Sequence, residues 1–505
     1  CQMSAMIFLL ISLAAAIYYV PWILKTIGDW IHQYPLVKKL PGPKGLPVIG
    51  SLLDVAGDTT EKRFIAVPLR FFIAEAEKAR ARGEKTMTVV IMGRTITFPL
   101  NGEMVKAICE STEEIMKGKD YEYLRAWVGD GILLSIGEPW RIRRKFITPM
   151  FHFSMLEGYL DTFNKHARVM VDVLREEREK GPVDMVPIIK RSALDIIVDT
   201  AMGSDFCFLR DPAHPYVHAV DVFTQFSQRH MMEPQMWIGW IWLLFYHRQY
   251  KNALNNLHAL TDKVLKARVK AVESGDVDLE AKRKPLIDHF LALHEQGKMI
   301  MRDVHYEINA AIFGGHDTTS ASLVWVFWSL ATLPHYQQKC YDEIAEIFGE
   351  SERECTHEDL KMMEFTERFI KESMRMFTPV PLTERELQND FDMGGSIIPR
   401  GTEVFINAFI IHHNEESFPD SWKFDPDRFL PENVALRHPF EYIPFSAGVR
   451  NCLGQKFAMQ EMKVIVSSAL RAFRFSTDRQ LLDQGFATEV VLKPTLGCDL
   501  TITPR

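Results

Sequence analysis

Ten residues near the C-terminal end combine a cysteine with the residue types needed to present it. Over 445–454 the chain carries Phe445, Gly448, Arg450, Cys452 and Gly454. Beyond them Phe457, Met459, Met462, Ile465 and Val466 recur at three- and four-residue steps, which predicts a helix over 455–469. Cys452 therefore stands just ahead of a helix N-terminus, where backbone N–H groups favour a thiolate. Gly448 and Gly454 allow backbone angles, and an approach to a flat macrocycle, that a side chain would block. Arg450, two residues before the cysteine, can turn toward a macrocycle carboxylate. A thiolate so placed can hold a haem iron. A solitary cysteine in such a loop is usually an ordinary buried thiol; Phe, Gly, Arg and Cys at these offsets favour ligation instead.

A second cluster, Phe313, Gly314, Gly315, His316, Asp317, Thr318 and Thr319, sits inside an amphipathic run over 302–332 that stops before Pro334. Such a helix would span about 45 Å. Paired glycines in its middle cost about 1 kcal/mol each relative to alanine, and no turn signal accounts for them. Either a ligand lies beside the helix there or a second helix packs closely on it. Glu372 and Arg375 share a face of a helix predicted over 365–377, and Arg428 lies among two aromatics and a proline in 424–429. Trp140 and Arg144 stand four residues apart, and Arg385 follows Arg375 by ten. A guanidinium matches a carboxylate fork, although basic residues such as Arg141, Arg143 and Lys145 also suit a solvated face or an acidic partner.

The cysteine segment resembles the ligand loop of the cytochrome P450 superfamily of haem-thiolate monooxygenases. The likeness extends along the chain: apolar N-terminus, Pro-rich stretch, Trp-x-x-x-Arg, Gly-Gly helix, Glu-x-x-Arg, cysteine loop. Leu194-Asp195-Ile196-Ile197, His316-Asp317-Thr318-Thr319, Arg428 to Asn433 and Gln455-Lys456-Phe457-Ala458 resemble family 4, the animal microsomal group associated with fatty-acid ω-hydroxylation. The resemblance implies a mainly α fold with a small β-sheet lobe and an N-terminal transmembrane anchor. It implies haem b with Cys452 as axial iron ligand, Arg450, Trp140, Arg144 and Arg385 at the propionates, and Phe445, Gly448, Gly454, Gly314 and Gly315 around the macrocycle. Thr318 would hydrogen-bond bound dioxygen and Asp317 would relay protons. Glu372, Arg375 and Arg428 would form a structural network bracing the cysteine loop. One departure stands out: many relatives carry, at the place of Gly314, a glutamate esterified to the haem. Haem here is expected to be noncovalent apart from the Cys452–iron bond.

The implied activity is insertion of one atom of dioxygen into a C–H bond of a lipophilic substrate, a fatty acid or related lipid, with steroids or xenobiotics as alternatives. Electrons would come from NADPH through NADPH–cytochrome P450 reductase, with cytochrome b5 as a further donor. Two rivals are a haem-thiolate isomerase or dehydratase of lipid hydroperoxides, which needs no reductase, and a noncatalytic haem carrier or sensor. The Asp317-Thr318 pair speaks against the first.

The elements that position these residues are long helical patterns over 61–82, 154–180, 190–202 and 251–274, with strand-like runs at 86–91, 96–98 and 403–406. With 505 residues and no composition break after residue 50, one large domain over 51–505 is the simplest organisation. Seven irregularly spaced cysteines argue against a disulfide framework, and a net charge of −7 without a basic stripe argues against nucleic acid as a partner. Residues 1–24 carry no charge and read as a membrane anchor, with a cleaved signal peptide as the competing reading. Lys25, Lys38, Lys39 and Lys44 follow in a basic, Pro-rich hinge over 25–50. A single-pass protein of the endoplasmic reticulum membrane, with its catalytic domain on the cytosolic side, is expected. A second apolar block at 236–245 is too short to span a bilayer and reads equally as a core helix or a substrate-channel lid touching membrane lipid.

Overall fold

The Gly-Gly run forms the axis of the molecule: Met301–Thr332 is one unbroken α-helix of 32 residues. Its second half is buried on every side, from Thr319 through Ala331, as expected of a helix surrounded by core. Pro334 cannot continue it and instead opens the next helix, Pro334–Phe348. The helix Met185–Met202 packs along the axis, and Glu364–Met376 and Gln455–Ala472 also contact it. The computed structural model describes residues 28, 34–46, 49–56, 67–91, 93–152, 156–232, 236, 239–279, 281 and 284–505. The expected anchor at 1–24 and part of the 25–50 hinge lie outside them. Among the described residues no helix is long and apolar enough to cross a membrane.

The sheet lobe is not purely N-terminal. Thr86–Ile91 and Arg94–Pro99 form an antiparallel hairpin. Arg94–Pro99 then pairs in parallel with Glu403–Asn407, which pairs antiparallel with Leu382–Glu386. This pairing brings Arg385 onto a sheet whose other half is some 300 residues earlier in the chain. Hinge residues dock on its edge, the Thr88 N–H donating to the Pro41 carbonyl at 2.6 Å and Gly50 bridging Ile91.

Among the described residues of the apolar block Met236 is buried, but those over 239–246 are not a core helix. Gly239–Ile241 passes into a wider turn over Trp242–Tyr246. Trp242 and Tyr246 face Phe226, whereas Trp240, Leu243, Leu244 and Phe245 are 63–70% exposed. The short segment can bury only the stripe that meets the helix Pro215–Met232.

Candidate active site

The loop ahead of Gln455–Ala472 folds back on itself: the Cys452 N–H donates to the Phe445 carbonyl at 2.9 Å, and Gly448–Arg450 forms a 3₁₀ turn. Gly448 has φ +67°, and a Cβ there would lie 1.9 Å from the Cys109 carbonyl oxygen, so this position admits only glycine. Gly454 differs from the expectation. Its φ is −82°, and a Cβ would meet nothing closer than Cys452 Sγ at 3.8 Å. Its contribution is a backbone N–H aimed at the sulfur. Burial pushes the Cys452 thiol up, while that N–H and the Arg144 charge pull the other way.

Cys452 opens into a cavity of about 1220 Å³ whose wall is mostly apolar. The long helix supplies one side, with Ala310, Phe313, Gly314, Asp317 and Thr318. The two glycines separate in role. A Cβ on Gly315 would come within 2.6 Å of Ile197 Cδ1, so this glycine seats the helix Met185–Met202, while a Cβ on Gly314 would meet nothing within 4 Å. Close helix packing is therefore realised at Gly315, while Gly314 faces open cavity space. Thr318 Oγ1 donates to the Gly314 carbonyl at 2.6 Å, and Asp317, 2% exposed, has an Oδ2 without a partner among the described residues.

Lys117, Arg144 and Arg450 line another part of this cavity, and Arg385, which does not line it, lies near enough for its charge to act on Lys117 and Arg450. Arg385 is buried, with Nη1 donating to its neighbour's carbonyl, Glu384 O, at 2.9 Å. Burial, then the nearby charges of Arg385 and Arg450, hold Lys117 well below the usual lysine range. Burial and Arg385 likewise push Arg450 down to about 9. The Arg450 guanidinium lies 4.7 Å from the Trp140 ring centroid, and its Nε is buried without a partner among the described residues. Arg144 donates to Asn451, through its carbonyl at 2.8 Å and its side chain, and so ties the helix Gly137–Ile147 to the cysteine loop. Crowded, desolvated cations on the wall of a large cavity suit a dianionic macrocycle, because two carboxylates would neutralise them. The residues present therefore fit haem.

Beneath the loop, Glu372 accepts from Arg375 at 2.7 and 2.9 Å and from the Asp425 N–H at 2.8 Å, with Arg428 Nε at 3.5 Å. Arg375 donates to the His412 carbonyl at 2.9 Å. His412 was not legible in the sequence. Its Nε2 accepts the Ile443 N–H at 2.8 Å and its Nδ1 meets Thr378 Oγ1 at 2.8 Å, so it fastens the approach to the cysteine loop. Burial, then Arg375, holds it far below the usual histidine range and hence neutral. Lys117 and Asn451 were also missed. Asn451 could have been suspected from its place beside Cys452, whereas nothing local marks Lys117.

The crystal structure of the cytochrome P450DA heme domain superposes with a TM-score of 0.77, covering 92% of this chain and 98% of that chain at 22% identity. That likeness defines the class of fold as that of a cytochrome P450 haem domain. Sequence supplies the family. The Cytochrome P450 family model matches residues 40–501. Cytochrome P450 4V2 of Mus musculus is 37% identical over 80% of this chain and 79% of its own length. Cytochrome P450 4c21 of Blattella germanica is 34% identical over 93% and 94%, and cytochrome P450 4c3 of Drosophila melanogaster 31% over 93% and 90%. The chain belongs to the cytochrome P450 family, with relatives in family 4; it is a monooxygenase-class oxidoreductase, and its prosthetic group is haem b with cysteine–iron ligation.

Proposed function

We propose that Cys452 is the iron ligand of a microsomal monooxygenase acting on a lipophilic substrate, a fatty acid or related lipid, with electrons from NADPH through a reductase. The single observation that carries this reading is the convergence of Cys452, Gly314, Asp317 and Thr318 on one large apolar cavity. Lys117, Arg385 and Arg450 would hold the haem propionates, with Trp140 stacked on Arg450 and Arg144 keeping the loop in register through Asn451. Haem bound there supplies reductive activation of dioxygen, so that one oxygen atom enters a C–H bond and the other leaves as water.

The protein's part is to orient, to exclude water and to deliver protons. Trp127, fully buried, packs edge-on to Phe313 at 5.4 Å and supports the cavity wall that Phe313 lines. Asp317 Oδ2, buried and without a partner among the described residues, faces the cavity where a proton relay is needed, and the Thr318 hydroxyl can exchange its bond to Gly314 O for one to the oxygen substrate. Exposed Arg141 and Lys145, beside Trp140, suit docking of an acidic reductase. Trp240, Leu243, Leu244 and Phe245 suit contact with the membrane surface.

The test is spectroscopic first. The reduced, carbon monoxide-bound protein should show the red-shifted Soret band of a thiolate-ligated porphyrin, and Cys452→Ser should lose it. Reconstitution with reductase and a lipid mixture should then give NADPH-dependent hydroxylated product. Product formed from lipid hydroperoxides without NADPH would point to isomerase chemistry instead.

A further inference from the structure

Residues 129–136, ahead of the Trp140 helix, cross the cavity wall without forming helix or strand, and Ile132 and Leu133 face inward. This strap lies directly on the long helix. A Cβ on Gly129, whose φ is +59°, would fall 2.0 Å from the Tyr306 ring. One on Gly131 would lie 3.1 Å from the Tyr306 carbonyl oxygen and 3.3 Å from Glu307 Oε2. Glu307, which is 1% exposed and itself lines the cavity, accepts the Ile132 N–H at 2.9 Å through Oε2. Through Oε1 it accepts Arg143 Nη1 at 3.0 Å, and Arg143 Nη2 continues to Asp303 at 3.0 Å. From the opposite edge Arg450 donates to Ser135 O at 3.0 Å and to Ile132 O at 3.5 Å. The strap is thus pinned from both the long helix and the cysteine loop.

We propose that Glu307 is a positioning residue that clamps this strap over the cavity, so that its bonds to Ile132 and Arg143 set how readily small ligands reach the haem. The proposal rests on the haem-thiolate reading above. Burial pushes the Glu307 carboxyl up to about 7, against the Ile132 N–H and the Arg143 charge, with Asp303 adding to the rise. Arg143 and Asp303 are the charged groups that bear on it. Arg125 pairs with Glu122 and Asp130, Arg302 lies 5.9 Å from the Tyr306 ring centroid, and His305 meets Asp262 at 3.1 Å. Above its midpoint the ionised carboxylate accepts both bonds. Below it the neutral acid loses the charge-assisted pairing with Arg143, and the strap loosens.

Carbon monoxide is an uncharged probe of that access. Rebinding to the reduced full-length protein after flash photolysis should quicken about fivefold between about pH 8 and about pH 6, with a midpoint near neutrality. Glu307→Gln should be fast and flat across that range. Gly131→Ala, which crowds Oε2 without removing the carboxyl, should be faster than wild type at the alkaline end while still titrating. A pH-independent wild-type rate, or a wild-type profile in Glu307→Gln, overturns the clamp. The Soret position of the same samples separates the two claims: a red-shifted band with flat kinetics sinks the clamp alone, and a missing band sinks the haem-thiolate reading.

Discussion

At the scale of single residues, Glu372, Arg375 and His412 form a buried chain of hydrogen bonds that reaches Ile443, ahead of the cysteine loop. Glu372 and Arg375 are fully buried, and Glu372 accepts hydrogen bonds from Arg375 and the Asp425 N–H while its charge faces Arg428 Nε at 3.5 Å. Removing the carboxylate leaves two guanidinium groups without their anion, a loss on the order of 3–5 kcal/mol for a buried pair. Glu372→Ala should therefore purify with little haem and a lowered melting temperature, and normal haem content would remove it from the brace. The Glu-x-x-Arg spacing was legible because it is local, one helical face. His412 was not, since a lone histidine carries no spacing signal and its work depends on Ile443 and Thr378 arriving from elsewhere.

At the scale of elements, the long helix shows two glycines with opposite surroundings. Gly315→Ala places a methyl against Ile197 and should cost about 1–3 kcal/mol through overpacking. Gly314→Ala meets open space and should be neutral or stabilising by up to about 1 kcal/mol, since alanine is the better helix former. Thermal unfolding of the two variants checks the contrast, and equal destabilisation would refute it. Because Gly314 offers no carboxylate, haem is expected to extract fully into acidified organic solvent. A haem–protein adduct surviving that treatment would contradict it.

At the scale of the whole molecule, the exposed apolar face at 240–245 lies on the segment joining Pro215–Met232 to His247–Glu273. Burying even part of four large apolar side chains is worth several kcal/mol at about 1.5–3 kcal/mol for each one fully buried. In a chain beginning at residue 40, where the family match starts, replacing Trp240, Leu243, Leu244 and Phe245 with serine should weaken binding to phosphatidylcholine vesicles at least about tenfold. Flotation of the two proteins measures this, and equal recovery with the lipid would rule out the face as a membrane contact.

Sequence alone determined which residues stand together along the chain: Cys452 before its helix, Glu372 with Arg375, the acid and alcohol at Asp317 and Thr318, and the long helices whose apolar periods are local. Tertiary structure decided what depends on distant segments meeting. The parallel pairing of Arg94–Pro99 with Glu403–Asn407, the cation cluster of Lys117, Arg385 and Arg450, and the Glu307 clamp on Ile132 all join residues remote in sequence. Periodicity reports which face of an element is buried, but not which partner covers it, and a charge buried in the fold looks the same in the sequence as one in solvent.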